Sequence, residues 1–185
     1  MKMMKAARSR NGNLQAMIEV AMKTVLMVAA MQAMAAALEG VKAQGSTGLE
    51  AQFQGPHNAA RSKVGVAALA WDANLAAYAA NYAARNAGRC QLIHSQGPYG
   101  ENLFWGGRGR AWTPADAVGA WVDEARYYNY ASNTCASGRM CGHYTQMVWR
   151  ATTRLGCASQ ICRDGSTFII CSYSPPGNYA GQRPF

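Results

Sequence analysis

Apolar residues recur at helical spacing in the segment that follows Asp72. Asp72 is a favoured N-cap residue, and Gly88 is placed to end the helix. Between them, one face carries Leu75, Ala79, Tyr82 and Ala83. This pattern predicts an amphipathic helix that packs on a core. An earlier helix is predicted from Pro56 to near Gly65, after a polar lead-in over residues 44–55.

A third helix is indicated by its start, Thr113-Pro114-Ala115-Asp116. Threonine is a good cap, proline fits the first helical position, and aspartate stands at the spacing of a capping box. The apolar face of this predicted helix carries Val118, Trp121, Val122 and Ala125. The pattern predicts that the helix ends at Asn129, and that a shorter helical piece follows around His143.

Two β-strands are predicted near the C-terminus, over residues 155–162 and 167–173. Asp164-Gly165 between them is a strong signal for a two-residue hairpin turn. Pro175-Pro176-Gly177 then ends regular structure. Several helices together with an antiparallel hairpin predict an α+β fold, in which the helices pack on an antiparallel sheet.

The N-terminal part of the chain has the pattern of a secretion signal. Lys23 precedes residues 24–38, which are apolar except for Gln32. A charge followed by such a segment is typical of a signal peptide, with a membrane anchor as the alternative. Small residues around 41–43 suit cleavage. We therefore predict an N-terminal extension and signal peptide over residues 1–43 and a mature domain over 44–185. Residues 1–21 precede an already complete signal, so Met22 is an alternative start.

Charge and cysteine content narrow the classes of protein. The formal net charge is +9, and the arginines are scattered along the sequence. A solvated basic surface is therefore expected, and a nucleic-acid partner is not, while attraction to acidic cell walls or lipid headgroups is compatible with the charge. The six cysteines include no CxxC pair. An even set behind a signal sequence predicts three disulfides formed in an oxidising compartment.

The disulfide pairing can be predicted from spacing. Cys135 and Cys141 are six residues apart in a polar loop and can bridge locally. Pairing the two predicted strands around the Asp-Gly turn places Cys157 nearly opposite Cys171, whereas Cys162 points to the other face of the sheet. The remaining pair is then Cys90 with Cys162.

Three stretches of the sequence carry a family resemblance. They are residues 142–150 (Gly-His-Tyr-Thr-Gln-Met-Val-Trp-Arg), residues 94–105, which contain His94 and Glu101, and the tail from Cys171 to Phe185. Together they resemble the CAP superfamily of cysteine-rich secretory proteins, antigen five and plant pathogenesis-related proteins of family one. The basic form of the plant branch fits best, over about residues 56–185. The resemblance implies a three-layer α-β-α sandwich: the CAP domain, with an antiparallel sheet flanked by helices and three disulfides.

The resemblance also implies a cleft lined by His94, Glu101, Glu124 and His143. Two imidazoles with carboxylates suit a divalent metal, zinc first, so His94 and His143 are the expected ligands of an ion that the fold does not require. A metal-dependent hydrolase or protease using this cleft is the alternative function. No H-E-x-x-H, no G-x-S-x-G and no unpaired cysteine supports catalysis, so an enzyme is not expected.

Two further features follow from the resemblance. Tyr127, Tyr128 and Tyr130 lie where several CAP proteins bind sterols or other lipids, although the aromatic spacing departs from the family pattern. The tail resembles a releasable signalling peptide, and its predicted residues include Pro175, Pro176, Gly177, Asn178, Tyr179 and Phe185. The expected protein is a monomeric plant defence protein, located in the apoplast or vacuole and antifungal or antimicrobial through lipid binding. Its expected partners are sterols or lipids of pathogen membranes and a receptor or protease for the tail.

Overall fold

A computed structural model describes the backbone of residues 2–185 and the side chains of residue 15, residues 17–34 and residues 48–185. The chain divides into two compact units, Met1–Thr47 and Gly48–Phe185. In the first unit, the segment Met17–Met34 is helical and has a mean hydropathy of 1.4. It is long and apolar enough to cross a membrane. A signal sequence has the same length and apolar character, so this helix fits the predicted signal peptide. The predicted cleavage residues 41–43 lie outside the residues whose side chains are described.

The secondary structure of the chain consists of four α-helices, one 3-10 turn and six strands in the described residues. In chain order they are α1 (Lys2–Lys63), β1 (Ala70–Trp71), α2 (Ala73–Asn86), β2 (Gly100–Gly106), α3 (Pro114–Asp123), the 3-10 turn (Glu124–Tyr127), β3 (Tyr128–Asn129), β4 (Thr134–Cys135), α4 (Gly142–Met147), β5 (Arg154–Ile161) and β6 (Thr167–Ser174).

Four strands form the main sheet, in the order β1-β5-β6-β2, and β3 pairs with β4 separately. Strands β5 and β6 are antiparallel, as predicted, and β2 also runs antiparallel to β6. The short edge strand β1 instead pairs in parallel with β5, through Ala70 and Trp71. The predicted antiparallel sheet is therefore confirmed, and β1 adds a short parallel pair at its edge.

The sheet lies between two layers of helices, which confirms the three-layer sandwich. Successive side chains of β5 and β6 point to opposite faces. On one face, Cys157 and Tyr173 pack in a core with α3, α4 and the end of α1. On the other face, Ala158 and Phe168 pack against α2. The backbone of α2 approaches this face so closely that a Cβ on Gly156 would lie 2.1 Å from the nitrogen of Ala76.

Two helices begin at the cap residues that the sequence predicts. The Asp72 carboxylate accepts hydrogen bonds from the backbone of Asn74 and Leu75 at the start of α2. Thr113 and Asp116 form a reciprocal capping box at the start of α3. Helix α3 is shorter than predicted: it ends at Asp123, not at Asn129, and the chain tightens into the 3-10 turn.

Two elements differ from the sequence prediction. Residues 48–55 are helical, whereas a polar lead-in was expected. The reason is Phe53, which is fully buried and stacks on Trp71, so the helix extends N-terminally of Pro56 to place this ring in the core. Strand β2 was not predicted at all. This strand carries the polar Asn102, whose buried side-chain amide donates a hydrogen bond to Tyr173 Oη at 3.1 Å.

The three predicted disulfides are present. Cys90 is bonded to Cys162, Cys135 to Cys141, and Cys157 to Cys171. Cys157 lies directly opposite Cys171 in the β5–β6 register, one residue from the predicted alignment. Cys90 and Cys162 lie on the α2 side of the sheet, as their spacing from Cys157 requires.

The buried His57 predicts an acid-sensitive fold. Its Nδ1 lies 2.7 Å from the carbonyl oxygen of Phe53 and its Nε2 2.8 Å from Tyr173 Oη. Complete burial lowers its pKa from 6.5 to about 4. Because the folded state holds the neutral ring, the contribution of His57 to stability is fully present above pH 6.5 and is lost as the pH falls toward 4.

The expected size of this effect is about 3 kcal/mol of unfolding free energy. Urea denaturation across the same pH range measures it. The variant His57→Gln lacks the titrating group, so the acid-dependent loss should shrink by that amount, although the variant starts from a lower stability. If the unfolding free energies of the two proteins fall equally with pH, His57 is not the group responsible for the acid sensitivity.

Candidate functional site

The four residues expected in the cleft come from four different segments. His94 lies in the loop before β2, Glu101 on β2, Glu124 at the start of the 3-10 turn, and His143 in the first turn of α4. His94, Glu101 and His143 line an open cleft of about 670 Å³. The structure therefore brings the predicted residues together, as two histidine–glutamate pairs.

The first pair is His143 with Glu124, and both side chains are largely buried. His143 Nδ1 lies 2.7 Å from Glu124 Oε1. The other carboxylate oxygen accepts hydrogen bonds from the backbone nitrogens of His143 at 3.0 Å and Tyr144 at 3.3 Å. The His143 ring also stacks on Trp121, with 6.1 Å between ring centroids. One carboxylate thus fixes both the start of α4 and the orientation of the imidazole.

The second pair is His94 with Glu101. His94 Nδ1 lies 3.2 Å from Glu101 Oε2, which also accepts a hydrogen bond from the backbone nitrogen of Ser95 at 2.9 Å. The Ser95 hydroxyl donates to Glu101 Oε1 and bonds to Tyr78 Oη. The Glu101 side chain is 4% exposed, whereas that of His94 is 55% exposed. The carboxylate is therefore anchored in the protein, and the imidazole stands at the cleft surface.

Both imidazoles keep one nitrogen for a ligand. Each Nδ1 is engaged by a glutamate, and neither Nε2 has a hydrogen-bond partner among the described residues. A histidine that is hydrogen-bonded to a carboxylate through one nitrogen and free at the other is the usual arrangement of a metal ligand. By this criterion each imidazole is oriented as a metal ligand would be.

A third protein ligand is not preformed at this cleft. Within residues 48–185, three potential metal ligands lie close together at one place, which is away from the cleft: Cys90, Cys162 and Asp164. The two sulfurs of this group are already joined in a disulfide. Metal binding at the cleft would thus leave coordination positions to water or to a bound ligand.

Sequence reasoning missed other residues of the cleft wall. Leu92, Leu103 and Met140 give the cleft apolar surface, and Leu92 and Met140 are 58% and 63% exposed. Asn102 and Asn178 add polar groups. The strand pattern around Asn102 could have indicated its position, but no local pattern indicates that Asn178 of the tail returns to the cleft.

The three tyrosines predicted to bind lipid do not share one environment. The guanidinium groups of Arg126 and Arg139 lie 5.0 and 5.1 Å from the centroid of the Tyr127 ring. Tyr130 stacks on Phe185 with 4.9 Å between centroids, and Tyr128 meets the same ring edge-on at 6.2 Å. Two of the three rings are thus covered in part by the C-terminal residue.

The tail leaves the sheet after Ser174, as predicted, and then packs along the domain. The backbone nitrogen of Gly177 donates to Gln146 Oε1 at 3.0 Å. Asn178 Nδ2 donates to the carbonyl of Gly142 at 2.8 Å, and the Asn178 side-chain oxygen accepts from Thr145 Oγ1 at 2.8 Å. Pro175 and Pro176 precede these contacts, and Tyr179 packs beside Trp149 at 6.0 Å.

Comparisons with known proteins agree with this architecture. Residues 54–173 match the model of the CAP cysteine-rich secretory protein family. The pathogenesis-related protein PRMS of Zea mays is 56% identical over 131 residues, covering 70% of this chain and 78% of that protein. The basic form of pathogenesis-related protein 1 of Nicotiana tabacum is 54% identical over 136 residues, covering 72% and 73%.

A solved structure extends the comparison to three dimensions. The crystal structure of NaASP2 with Zn²⁺ matches with a TM-score of 0.61 and 27% identity, over 74% of this chain and 84% of that one. The names of the plant relatives denote pathogen response and no catalytic activity. The apolar N-terminal helix and the secretory family fit a secreted protein. By sequence and by fold, the chain belongs to the CAP family, in its plant pathogenesis-related branch.

Proposed function

We propose that the protein is a secreted plant defence protein with antifungal or antimicrobial action, which binds ligands in its cleft without turning them over. The observation that carries this proposal is the pair of histidine–glutamate contacts, His143 with Glu124 and His94 with Glu101. Each carboxylate orients one imidazole and leaves its Nε2 for a ligand. Neither Nε2 contacts a hydroxyl or thiol in the described residues, which supports ligand binding over activation of a side-chain nucleophile.

Zinc is the proposed ion. His94 and His143 would hold it through Nε2, and Glu101 and Glu124 would keep both rings in place. A bound divalent ion would supply a Lewis-acid contact for an oxygen atom of a ligand. The relative NaASP2 was crystallised with Zn²⁺, which supports the choice. The fold does not depend on the ion, because hydrogen bonds within the protein already hold both pairs.

Sterols or other lipids of pathogen membranes are the proposed ligands. A sterol needs a concave apolar surface with a polar group at one end. The cleft offers Leu92, Leu103 and Met140 beside His94. The tyrosine cluster, Tyr127, Tyr128 and Tyr130, is the other proposed position, and access to Tyr128 there requires Phe185 to move.

A binding experiment on the secreted protein tests the proposal. The double variant His94→Ala/His143→Ala should lose zinc binding by at least about tenfold in calorimetry at neutral pH, because both ligand nitrogens are removed. Its sterol uptake should stay within about twofold of the unmodified protein, since apolar contacts carry it. The control Arg150→Gln removes an exposed cation elsewhere and should change neither. Equal zinc uptake in the double variant would place the metal elsewhere.

The position of the sterol is tested by two further variants. Leu92→Ser/Met140→Ser changes exposed residues of the cleft, and Tyr127→Ser/Tyr128→Ser/Tyr130→Ser changes the tyrosine cluster. Loss of uptake in one set and not the other assigns the site, after circular dichroism has shown that both variants are folded. No sterol uptake by the unmodified protein would reject lipid binding. The alternative function, a metal-dependent hydrolase, requires turnover that His143→Ala abolishes.

The tail from Pro175 to Phe185 is also proposed to act as a released signalling peptide. Its start at Pro175 follows directly on the strand that Cys171 anchors, and Pro175 is exposed. The hydrogen bonds of Gly177 and Asn178 must open before the segment can leave. Mass spectrometry of extracellular fluid from challenged tissue should recover the peptide that begins at Pro175. Recovery of only the intact chain would leave the tail a structural role.

A further inference from the structure

Three arginines that are far apart in the sequence meet at one end of the domain. Arg163 follows Cys162, Arg89 precedes Cys90, and the disulfide between those cysteines holds their Cα atoms 5.9 Å apart. The Arg163 guanidinium lies over Gly88, 3.9 Å from where a Cβ would stand. The disulfide therefore holds the backbones of the two arginines near each other.

The third member of this group is Arg108. Its aliphatic stem packs beside Gly165 of the β5–β6 turn, 3.8 Å from where a Cβ would stand. Gly165 follows Arg163 by two residues. Arg108 belongs to the loop that follows β2, Gly107-Arg108-Gly109-Arg110, in which Gly109 has a φ of +97°. We call Arg89, Arg108 and Arg163 the basic end of the domain.

The basic end keeps a net positive charge, because it has three arginines and one nearby acid, Asp164. All three side chains are exposed, and none forms an ion pair or donates a side-chain hydrogen bond among the described residues. Asp164 is the acid nearest to them in the chain. Its carboxylate accepts hydrogen bonds from the Ser166 hydroxyl and backbone nitrogen, which lower the pKa of Asp164, and Arg108 adds a weaker attraction.

Three other arginines of the same domain lie beside carboxylates. Arg154 pairs with Asp72 at 2.9 Å, Arg110 pairs with Asp116, and Arg126 lies 3.7 Å from Asp123. Collecting three unpaired cations costs electrostatic free energy, since like charges repel. A surface that concentrates positive charge in this way attracts an anionic partner.

From this geometry we infer that the basic end binds an acidic polysaccharide, a chain of uronic acid sugars, independently of the cleft. Guanidinium groups match carboxylates through two parallel hydrogen bonds, and a polyuronate presents one carboxylate on every sugar. The indole of Trp105, which is 48% exposed and lies over Gly107 beside Arg108, adds a flat apolar face on which a sugar ring can rest.

A bilayer fits this surface less well. A membrane-bound face needs several apolar side chains that insert below the headgroups. Here the turn and the loop offer arginines, glycines and one acid. The exposed apolar side chains beside them are Ile161 at the end of β5 and Trp105 on β2, which is fewer than an inserted face needs. The secreted location of the family also exposes this surface to extracellular polymers. The inference adds a second binding surface to the protein and does not depend on zinc or sterol binding.

The test compares two variants that lose the same charge. Arg89→Gln/Arg108→Gln/Arg163→Gln removes the basic end. The matched control Lys63→Gln/Arg126→Gln/Arg150→Gln removes three exposed cations elsewhere. Calorimetry with polygalacturonate is carried out at about 0.05 M and about 0.15 M salt. We expect the first variant to bind about tenfold more weakly, the combined effect of three exposed ion pairs, and the control to bind within about twofold of the unmodified protein.

Other outcomes overturn the inference. Equal weakening of both variants would show that net charge alone drives binding, and absence of binding by the unmodified protein would reject the polysaccharide. Vesicles containing phosphatidylserine form the second arm: binding to them and not to polygalacturonate, lost in the first variant, would assign the surface to a membrane. If the glutamine variant does not fold, Arg→Lys changes at the same three positions replace it in the test, because they keep the charge. They should weaken binding about threefold through loss of the paired hydrogen bonds.

Discussion

Replacing Arg61 with alanine is expected to lower the free energy of unfolding by about 3–5 kcal/mol, because it removes a buried cation that satisfies four backbone carbonyls. The side chain is 1% exposed. Its guanidinium donates to the carbonyl oxygens of Ala67 at 2.6 Å, Met147 at 2.8 Å, Trp149 at 3.0 Å and Thr152 at 2.9 Å. Burial lowers the pKa of Arg61 to about 10, so the group remains charged at neutral pH.

The loss arises mainly from the carbonyls that Arg61 leaves behind. Met147 ends α4 and Trp149 follows it, and both are almost fully buried, so water cannot readily replace the missing donors. Arg61 thus ties the end of α1 to the helix that carries His143. A weaker zinc affinity is expected to accompany the loss of stability.

Denaturant unfolding with the disulfides intact measures the effect. Arg61→Lys keeps the charge but cannot reach all four oxygens, so its loss should be intermediate. Lys63→Ala, an exposed change two residues away, should cost less than about 0.5 kcal/mol. A loss below about 1 kcal/mol in Arg61→Ala would mean that the carbonyls find other partners.

Removal of residues 175–185 is expected to cost about 3–4 kcal/mol of unfolding free energy. The tail covers Trp149, which is 4% exposed, and a Cβ on Gly177 would lie 2.5 Å from its ring. It also satisfies polar groups of the helix and loop beneath it. These contacts involve Gly142, Thr145, Gln146, Arg150 and Thr152.

This loss of unfolding free energy is measured by comparing the thermal unfolding of the truncated chain with that of the full chain. Asn178→Ala removes two of the hydrogen bonds and should cost about 1–2 kcal/mol. Tyr179→Ala changes a residue that is 51% exposed and should have a smaller effect. If truncation leaves the stability unchanged, the tail is weakly attached and its release is energetically easy.

A stabilising tail affects how a signalling peptide could be released. Because Asn178 binds α4 and lines the cleft, loss of the tail would disturb the segment that holds His143. Release of the peptide and ligand binding in the cleft would therefore be coupled. The proposed peptide signal is then linked to a change in the remaining domain.

The sequence alone determined the features that depend on local chemistry. The caps at Asp72 and Thr113 specify helix starts because their side chains bond to backbone a few residues away. The Asp-Gly pair located the β5–β6 hairpin, although the loop between Cys162 and Ser166 holds three residues and not the predicted two. Strand alternation then paired the six cysteines correctly. The four cleft residues came from the family resemblance, since no spacing rule assembles residues spread over about fifty positions.

Tertiary structure decided the contacts that join distant segments. Phe53 extended α1 because the ring is buried against Trp71, and β2 formed around a polar Asn102 because Tyr173 bonds to it. The pairing of each cleft histidine with its own glutamate, the return of Asn178 to α4 and the gathering of three arginines are likewise nonlocal. Local patterns record propensity and burial, whereas these contacts depend on which surfaces the folded chain brings within hydrogen-bonding or van der Waals distance.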